Sequence, residues 1–533
     1  MVLILFSVMR KKLLLVLCSV LLLVIPWLRV SGLSLLAAFI PLFLISDSYD
    51  SSRRSFWRMA AWVALTFTLW SVATVWWVWI AAPIGVIAAT TVQVLLFGTV
   101  FMIFHYVRKR SRPVLAFTIL ACGWTAAEYV YLNGQISFPW LLLGNGFAND
   151  TWAVQWYEFT GALGGSLWVM LANILLYNAL RAARDIKKWC IAGVWILVPL
   201  AVSVTMFLSW KAPAARTVNV SVLQPVIEPY TEKFVLSQQS QDSVLLSLAA
   251  LSPENVDFIV APETAVENNI WESDIQMSAS IRRYHEFIVS CRPEAQFILG
   301  ATTMRLYQSE ETLSSRPLGN GYWYDVYNSS LAIDSSDNID VHHKAKLVIG
   351  AEMMPFMKIL KPISTYIVDL GGTTGQLGTD KFYRVFSLNR GTGRVYSAAP
   401  ICYESVYGEH FARFARQGAE IMFVITNDGW WGDTPGYRQH FSYSRLRAIE
   451  TRRYVARSAN TGISGFITSR GDVMQSLGWN QRGILSQEVP LVSKRTFYVR
   501  YGDYAGRLSC YVFMLSALYF VVYRFRRRNH LVD

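Results

Sequence analysis

Cysteine and histidine are scarce in this chain, 6 and 7 among 533 residues, and where they stand excludes several kinds of chemistry. His342 and His343 are adjacent and so point to opposite faces of a strand, while His410 and His440 lack ligand-like spacing, so no metal site is expected. No glycine-rich phosphate loop is present, and no cofactor of any kind is expected. A small-residue cleavage site is missing after the first apolar run, "LLLVLCSVLLLVIPWL", which favours an uncleaved first helix over a signal peptide. Cys18 in "LVLCS" is a poor lipidation site, because Leu17 stands where a small residue is needed.

What the chain has in abundance is apolar sequence. It is 53% hydrophobic, and apolar runs occupy residues 13–28, 32–46, 59–80, 84–105, 114–132, 163–180, 190–209 and 508–523, which predicts about eight transmembrane helices. The second run is short for a span. Twenty tryptophans suit an interfacial aromatic belt. The net charge of +13 raises the question of nucleic acid, but 18 of the 49 basic residues sit in five knots, at 10–12, 53–58, 108–112, 181–188 and 524–528. The remaining 31 face 36 acids, so the excess is topological and no nucleic-acid partner is expected. Every knot falls in an even-numbered connection or at a terminus, which places both termini in the cytoplasm and the stretch from 211 to 500 outside. Three regions follow: 1–210 as a helical membrane bundle, 211–500 as an extracytoplasmic domain, and 501–533 as a last helix with a basic tail.

From Arg216 onward short β-branched runs alternate with amphipathic stretches: "TVNVSVLQP", "VDFIVAPE", "AQFILGATT", "NSSLAID", "RVYSAAPICYE" and "EIMFVITND" read as strands. Helices are expected over 231–251 and near 271–289, 403–416 and 436–457, giving an α/β sandwich. Several strands end in polar residues: Glu263, then Cys402 with Glu404, then Asn427 with Asp428. Strand ends at one sheet edge are where α/β folds collect functional groups. Lys344 follows another strand. Glutamate, lysine and cysteine in that order suit acyl transfer: Glu263 as base, Cys402 as nucleophile, and Lys344 with the backbone N–H after Cys402 facing an oxyanion. Each residue alone has a blander account: core packing for Cys402, a helix cap for Glu263, a solvated lysine for Lys344.

Taken together, "APETA", "YNSSL", "KAKLVIGAE", "ICYES", "TNDGWWGDTPGYRQH" and "RAIETRRYVARSANTGISG" resemble the nitrilase superfamily. "WTAAEYV" and "FPWLLLG" in the apolar region narrow the resemblance to the apolipoprotein N-acyltransferase family and extend it over nearly the whole chain. The resemblance implies an αββα sandwich in the outer domain and a Glu263, Lys344, Cys402 triad. It also implies a ping-pong acyl transfer from a phospholipid donor to a diacylglyceryl-modified apolipoprotein, in the bacterial inner membrane. Two departures stand out. Ile349-Gly350-Ala351 replaces the family's Pro-Phe-Gly, which makes Lys346 a rival to Lys344, and "NDGWWG" replaces "NDAWFG".

Supporting positions are Glu352, which would orient the lysine or assist the base, and Tyr403 and Glu404, which flank the nucleophile. Glu404 has a competing role as partner to the arginines at 445–457. Trp124, Glu128, Trp140 and Trp430 are candidates for substrate access, with structural pairing an equal account of Glu128. The apolar segment 351–372 reads either as a lid dipping into the membrane or as core, and 316–328 as a mobile interfacial loop. Cys291 reads as a buried helix-end residue or as a disulfide partner of Cys402. A monomer is expected. A membrane-tethered amide hydrolase and a non-catalytic lipoprotein-binding protein are the competing functions.

Overall fold

The computed structural model describes residues 2–211, 216–360, 376–391 and 393–529. They form two compact units, one of residues 1–79, 83–209 and 501–533, the other of residues 80–82 and 210–500.

The first unit is helical. Among the described residues six helices are long and apolar enough to cross a membrane: Arg53–Val75, Pro83–Arg108, Pro113–Asn133, Tyr157–Arg181, Ile186–Ser209 and the stretch Tyr504–Arg526. Six rather than eight results from the first two runs. The first lies in helix Val2–Val24, interrupted by Arg10, Lys11 and Lys12. The second breaks into a short 3-10 turn, Gly32–Ala37, and an eight-residue helix, Ile40–Asp47. There the Ser31 hydroxyl caps the Leu33 N–H and the Asp150 carboxylate takes the Gly32 N–H, which favours a chain reversal over a continuous helix. Arg108, from the third basic knot, is not free but paired to Asp47 at 2.7 Å.

The second unit is the expected αββα sandwich. One sheet contains β1 (Thr217–Gln224), β2 (Phe258–Val260), β3 (Val266–Trp271), β4 (Gln296–Tyr307), β5 (Arg316–Gly319), β6 (Tyr322–Ile333) and β7 (Ile339–His343), completed by β14. The other holds β8 (Phe386–Arg390), β9 (Gly393–Ala398), β10 (Ile421–Thr426), β11 (Tyr454–Ala459), β12 (Ser464–Ile467) and β13 (Val473–Leu477); β14 is Gly483–Pro490. Alternation along β10 shows how the layers arise. Met422 and Val424 join Phe411, Phe414 and Ala448 of the helices Gly408–Arg416 and Pro435–Thr451, whereas Phe423 meets Phe258 of β2 at 5.0 Å. Helices Gln238–Ala249 and Ala279–Cys291 cover the first sheet through Leu245, Ile281, Tyr284 and Ile288.

Several boundaries differ from expectation. The helix expected near 271–289 starts at Ala279, behind a 3-10 turn over Glu272–Met277, and the one expected near 403–416 starts at Gly408, behind the 3-10 turn Cys402–Val406. The helix expected from 231 starts at Gln238, where Ser237 caps it. The one expected to run to 457 stops at Thr451, because Arg452 turns left-handed at φ 51° and β11 begins two residues later. The segment 316–328 is strand-paired, β5 against β6 around the turn Gly319–Gly321, not a loose loop. Most of 351–372 lies outside the described residues. Cys291 is exposed and Cys402 buried, both as free thiols, which removes both the buried helix-end reading and the disulfide.

Candidate active site

Three strand ends of the sandwich converge, those of β2, β7 and β9. Glu263 follows β2 in a tight turn whose next residue, Thr264, is left-handed at φ 47°. The neighbouring strand must come very close to that turn: a Cβ at Gly300 of β4 would lie 2.4 Å from the Thr264 nitrogen and 2.6 Å from the Glu263 Cα. Glycine is therefore required there. Lys344 directly follows β7, where its N–H donates to the Asn328 carbonyl of β6 at 2.8 Å. Cys402 follows β9 and begins a 3-10 turn, Cys402–Val406, with its own backbone at φ 47°.

Their side chains form one buried cluster. Lys344 Nζ donates to Glu263 Oε1 at 2.8 Å and to Glu352 Oε1 at 2.9 Å. Asn328 Nδ2 donates to the same two oxygens at 2.8 and 2.9 Å, and the Asn427 N–H donates to Glu263 Oε2 at 3.1 Å. Lysine 346 is elsewhere, with its ammonium over the Tyr407 ring, so Lys344 is the lysine that meets Glu263. The altered Ile349-Gly350-Ala351 step leaves Glu352 in reach. Gly350 takes a left-handed φ of 85°, and the Val348 N–H donates to Glu352 Oε2 at 2.8 Å, closing the loop on the carboxylate that meets the lysine.

Burial and charge set the protonation states. Burial raises the Glu263 pKa, but the Lys344 ammonium and the hydrogen bonds from Lys344 and Asn328 outweigh it, holding the carboxyl below its usual range. Burial lowers the Lys344 pKa, but Glu263, Glu352 and the nearby Cys402 hold it well above the ordinary value. The Cys402 thiol is pushed up by burial first and by the Glu263 charge second, with Lys344 opposing. The resting cluster is a carboxylate, an ammonium and a neutral thiol.

Glu404 does not pair with the arginines at 445–457; Arg447 meets Glu450 and Arg457 meets Asp428. Instead it accepts from the Ile401 and Ala345 N–H groups, both at 2.8 Å, and meets His410 at 2.9 Å and His342 at 3.3 Å. One carboxylate thus ties the residue before Cys402 to the residue after Lys344. Burial raises its pKa, but His410 and His342 hold it well below the carboxylate range. Tyr403 packs edge-on against Tyr407.

Trp430 packs against Tyr230 and Phe234 of the same unit. Trp124 and Trp140 are buried in the helical unit, Trp124 among Phe39, Phe67 and Phe97 and Trp140 beside Trp77. Glu128 accepts from Trp124 Nε1 at 3.1 Å and the Leu143 N–H at 2.9 Å, the structural pairing that competed with an access role. Sequence reasoning passed over Asn328, whose signal was an amide inside a strand buried on both faces. It also passed over Lys233, which is buried against Thr264 and paired to Glu267 at 3.0 Å; nothing in its local sequence marks it.

Residues 298–497 match the carbon-nitrogen hydrolase family, and residues 19–175 match the apolipoprotein N-acyltransferase N-terminal domain. A similar protein is the apolipoprotein N-acyltransferase of Chlorobaculum tepidum, 27% identical over 481 residues, 87% of each chain. Another is that of Sinorhizobium medicae, 30% identical over 391 residues, 70% of this chain and 67% of the other. Among solved structures, Nit3 of Saccharomyces cerevisiae, of the nitrilase superfamily, aligns with TM-score 0.36 and 14% identity over 53% of this chain and 93% of its own. With both halves matched and the relatives spanning most of its length, this chain belongs to the apolipoprotein N-acyltransferase family.

Proposed function

We propose that this protein N-acylates the N-terminal S-diacylglyceryl cysteine of apolipoproteins, the last step of bacterial lipoprotein maturation, taking the acyl chain from a phospholipid through a thioester on Cys402. The observation that carries this reading is the buried cluster of Glu263, Lys344 and Glu352 beside the neutral Cys402 thiol.

Since the thiol is neutral at rest, attack requires that its proton leave as the S–C bond forms. Glu263, ionised and buried, takes that proton and delivers it to the glycerol oxygen as the ester C–O bond breaks, releasing a lysophospholipid. The tetrahedral oxyanion faces the Lys344 ammonium and the Tyr403 N–H. In the second half-reaction the neutral α-amine attacks the thioester: the N–C bond forms, the C–S bond breaks, and the amine proton returns through Glu263 to sulfur. Glu352 and Asn328 hold the lysine and the base in register. Water would hydrolyse the thioester, and burial of all three groups, with Cys402 only 7% and Lys344 1% exposed, favours transfer over hydrolysis.

The basic knots support a multi-pass protein of the inner membrane with both termini cytoplasmic and residues 211–500 periplasmic. The test is intact mass of the protein after incubation with a defined phospholipid, for wild type and Cys402→Ala. An acyl-sized, hydroxylamine-sensitive adduct on wild type alone, released as an amide by a diacylglyceryl peptide, is the expected result. A folded wild type with a free Cys402 thiol and no adduct would refute it, and release to water alone would favour an amide hydrolase.

A further inference from the structure

Cys402 pays for its left-handed backbone, φ 47°, with about 1–2 kcal/mol, and such a conformation persists only where its surroundings over-determine it. What determines it is a double grip on one atom. The Cys402 carbonyl accepts from Ser405 Oγ at 2.7 Å and lies 3.2 Å from His440 Nε2. Ser405 Oγ and His440 Nε2 are themselves 3.1 Å apart, and both residues are fully buried.

The ring of His440 is braced in turn. Its Nδ1 lies 2.9 Å from Asp428 Oδ1. Arg457 Nη2 donates to Asp428 Oδ2 at 2.7 Å and to His440 Nδ1 at 3.0 Å, which puts the proton of the neutral ring on Nε2, facing the Cys402 carbonyl, and the Thr426 hydroxyl donates to Asp428 Oδ1 at 3.0 Å. Trp431 stands edge-on to the imidazole at 5.6 Å. Space behind the carboxylate is closed as well, since a Cβ at Gly462 would lie 2.4 Å from Asp428 Oδ2. The end of β10 with Thr426 and Asp428, helix Pro435–Thr451 with His440, and β11 with Arg457 thus supply a single buried chain that ends on the nucleophile's carbonyl. Burial raises the Asp428 pKa, but Arg457 and His440 outweigh it and bring it to about 2, so the brace is ionised at any working pH.

A peptide unit is planar, and in the trans form its C=O and N–H point in opposite directions. The Cys402 carbonyl and the Tyr403 N–H belong to the same plane, so whatever holds the first aims the second. We propose that Ser405 and His440, the latter braced by Asp428 and Arg457, are positioning residues for acyl transfer: they lock the Cys402–Tyr403 peptide plane so that the Tyr403 N–H faces the oxyanion. This assignment rests on the transfer reaction proposed above. Neither residue touches the substrate.

The test uses the full chain in detergent with phospholipid and a diacylglyceryl peptide, comparing wild type with His440→Asn, His440→Gln and Ser405→Ala. An asparagine amide reaches only the Nδ1 position, facing Asp428, whereas a glutamine amide reaches the Nε2 position, facing the carbonyl. His440→Asn is expected to lower kcat about 10- to 100-fold with KM unchanged, less than the roughly 10²- to 10³-fold lost when an oxyanion donor is removed outright. His440→Gln recovers to within about threefold of wild type, and Ser405→Ala loses about threefold to tenfold in kcat alone. Equal losses in the two His440 variants that track thermal stability would overturn the proposal, as would a rise in KM at constant kcat. If neither His440 variant folds, Ser405→Ala decides: an unchanged kcat overturns it. Acylation of Cys402 by p-nitrophenyl acetate, read by intact mass, needs no lipid substrate but passes through the same kind of tetrahedral oxyanion, releasing p-nitrophenol as the thioester forms, and so separates this proposal from the transfer reaction. Even if wild type transfers no phospholipid acyl chain, slower acylation in His440→Asn than in His440→Gln supports the positioning role, and equal rates in all four proteins sink it.

Discussion

Replacing Gly300 by alanine probes the site without touching any charged group. The added Cβ would stand 2.4 Å from the Thr264 nitrogen and 2.6 Å from the Glu263 Cα, where real contacts essentially never fall below 3.0 Å, so the two backbones must part by about 0.6 Å. Both are backbone atoms and cannot swing aside. They are stitched together just before the contact, Ala261 N–H to the Ile298 carbonyl at 2.7 Å and Gly300 N–H to the Pro262 carbonyl at 3.1 Å. The displacement therefore passes to Glu263, while Lys344 stays anchored by its N–H to the Asn328 carbonyl. A 2.8 Å hydrogen bond between them lengthens toward about 3.4 Å, beyond good geometry. Overpacking of this kind costs about 1–3 kcal/mol of stability, and a misplacement of this size at a reacting centre costs about tenfold to a hundredfold in rate. The assay is acyl transfer from phospholipid to a diacylglyceryl peptide, with thermal unfolding measured on the same preparation. Gly391→Ala is the control, since a Cβ there meets nothing within 4 Å. Wild-type transfer by Gly300→Ala would refute the idea that the β2–β4 approach sets the position of the base.

Lys344→Met leaves Glu263 and Glu352 as uncompensated buried carboxylates and should cost about 3–5 kcal/mol and all transfer, while Lys346→Met should stay within about 0.5 kcal/mol of wild type and remain active; the reverse pattern would make Lys346 the functional lysine. Glu263→Gln removes the charge that helps hold the Cys402 thiol up, so alkylation of Cys402 should quicken while transfer falls about 10²- to 10⁴-fold for want of a base; slower alkylation would contradict the charge assignment. As for pH, His410 and His440 are held below their usual range, by burial first, so the unfolded chain binds protons first and stability declines as pH falls below about 6.5. Asp428, at about 2 when folded against about 3.9 unfolded, adds about 2 kcal/mol that is present above pH 4 and lost as pH falls toward 2. Denaturant melts across that range should show both limbs, and Asp428→Asn should flatten the lower one. A reporter fused after Arg528 should read as cytoplasmic and one inserted within 305–320 as external; the opposite readings would invert the proposed topology.

Much of this was legible from residue order. Apolar length and the basic knots are local properties, and so is the period-2 pattern that marks the strands. Strand ends were visible too, because a polar residue terminating an apolar run has no core role to play, and this singled out Glu263, Cys402, Glu404 and Asp428. Element limits were less legible. The 32–46 run has the hydropathy of a span, yet Asp150, more than a hundred residues away in sequence, caps the turn that breaks it. The helix expected to run to 457 is cut at Arg452 so that Arg457 can enter β11 and meet Asp428.

Which side chains share a charge or a proton is a matter of distance in space, and sequence carries no distance. Composition and motif alone determined a membrane protein with an α/β sandwich, and the glutamate, lysine and cysteine worth testing. The spacing of Lys344 to Glu352 already favoured it over Lys346, but only the tertiary structure showed that Lys344 meets Glu263 and turned Glu404 from the arginines to His342 and His410. It alone brought Asn328 between the two glutamates and ran a buried chain from Arg457 through His440 to the carbonyl of Cys402. The reason is physical. Burial in a low-dielectric interior makes an unpaired charge too costly to leave, so each buried ionisable group must find its partner wherever the fold brings one.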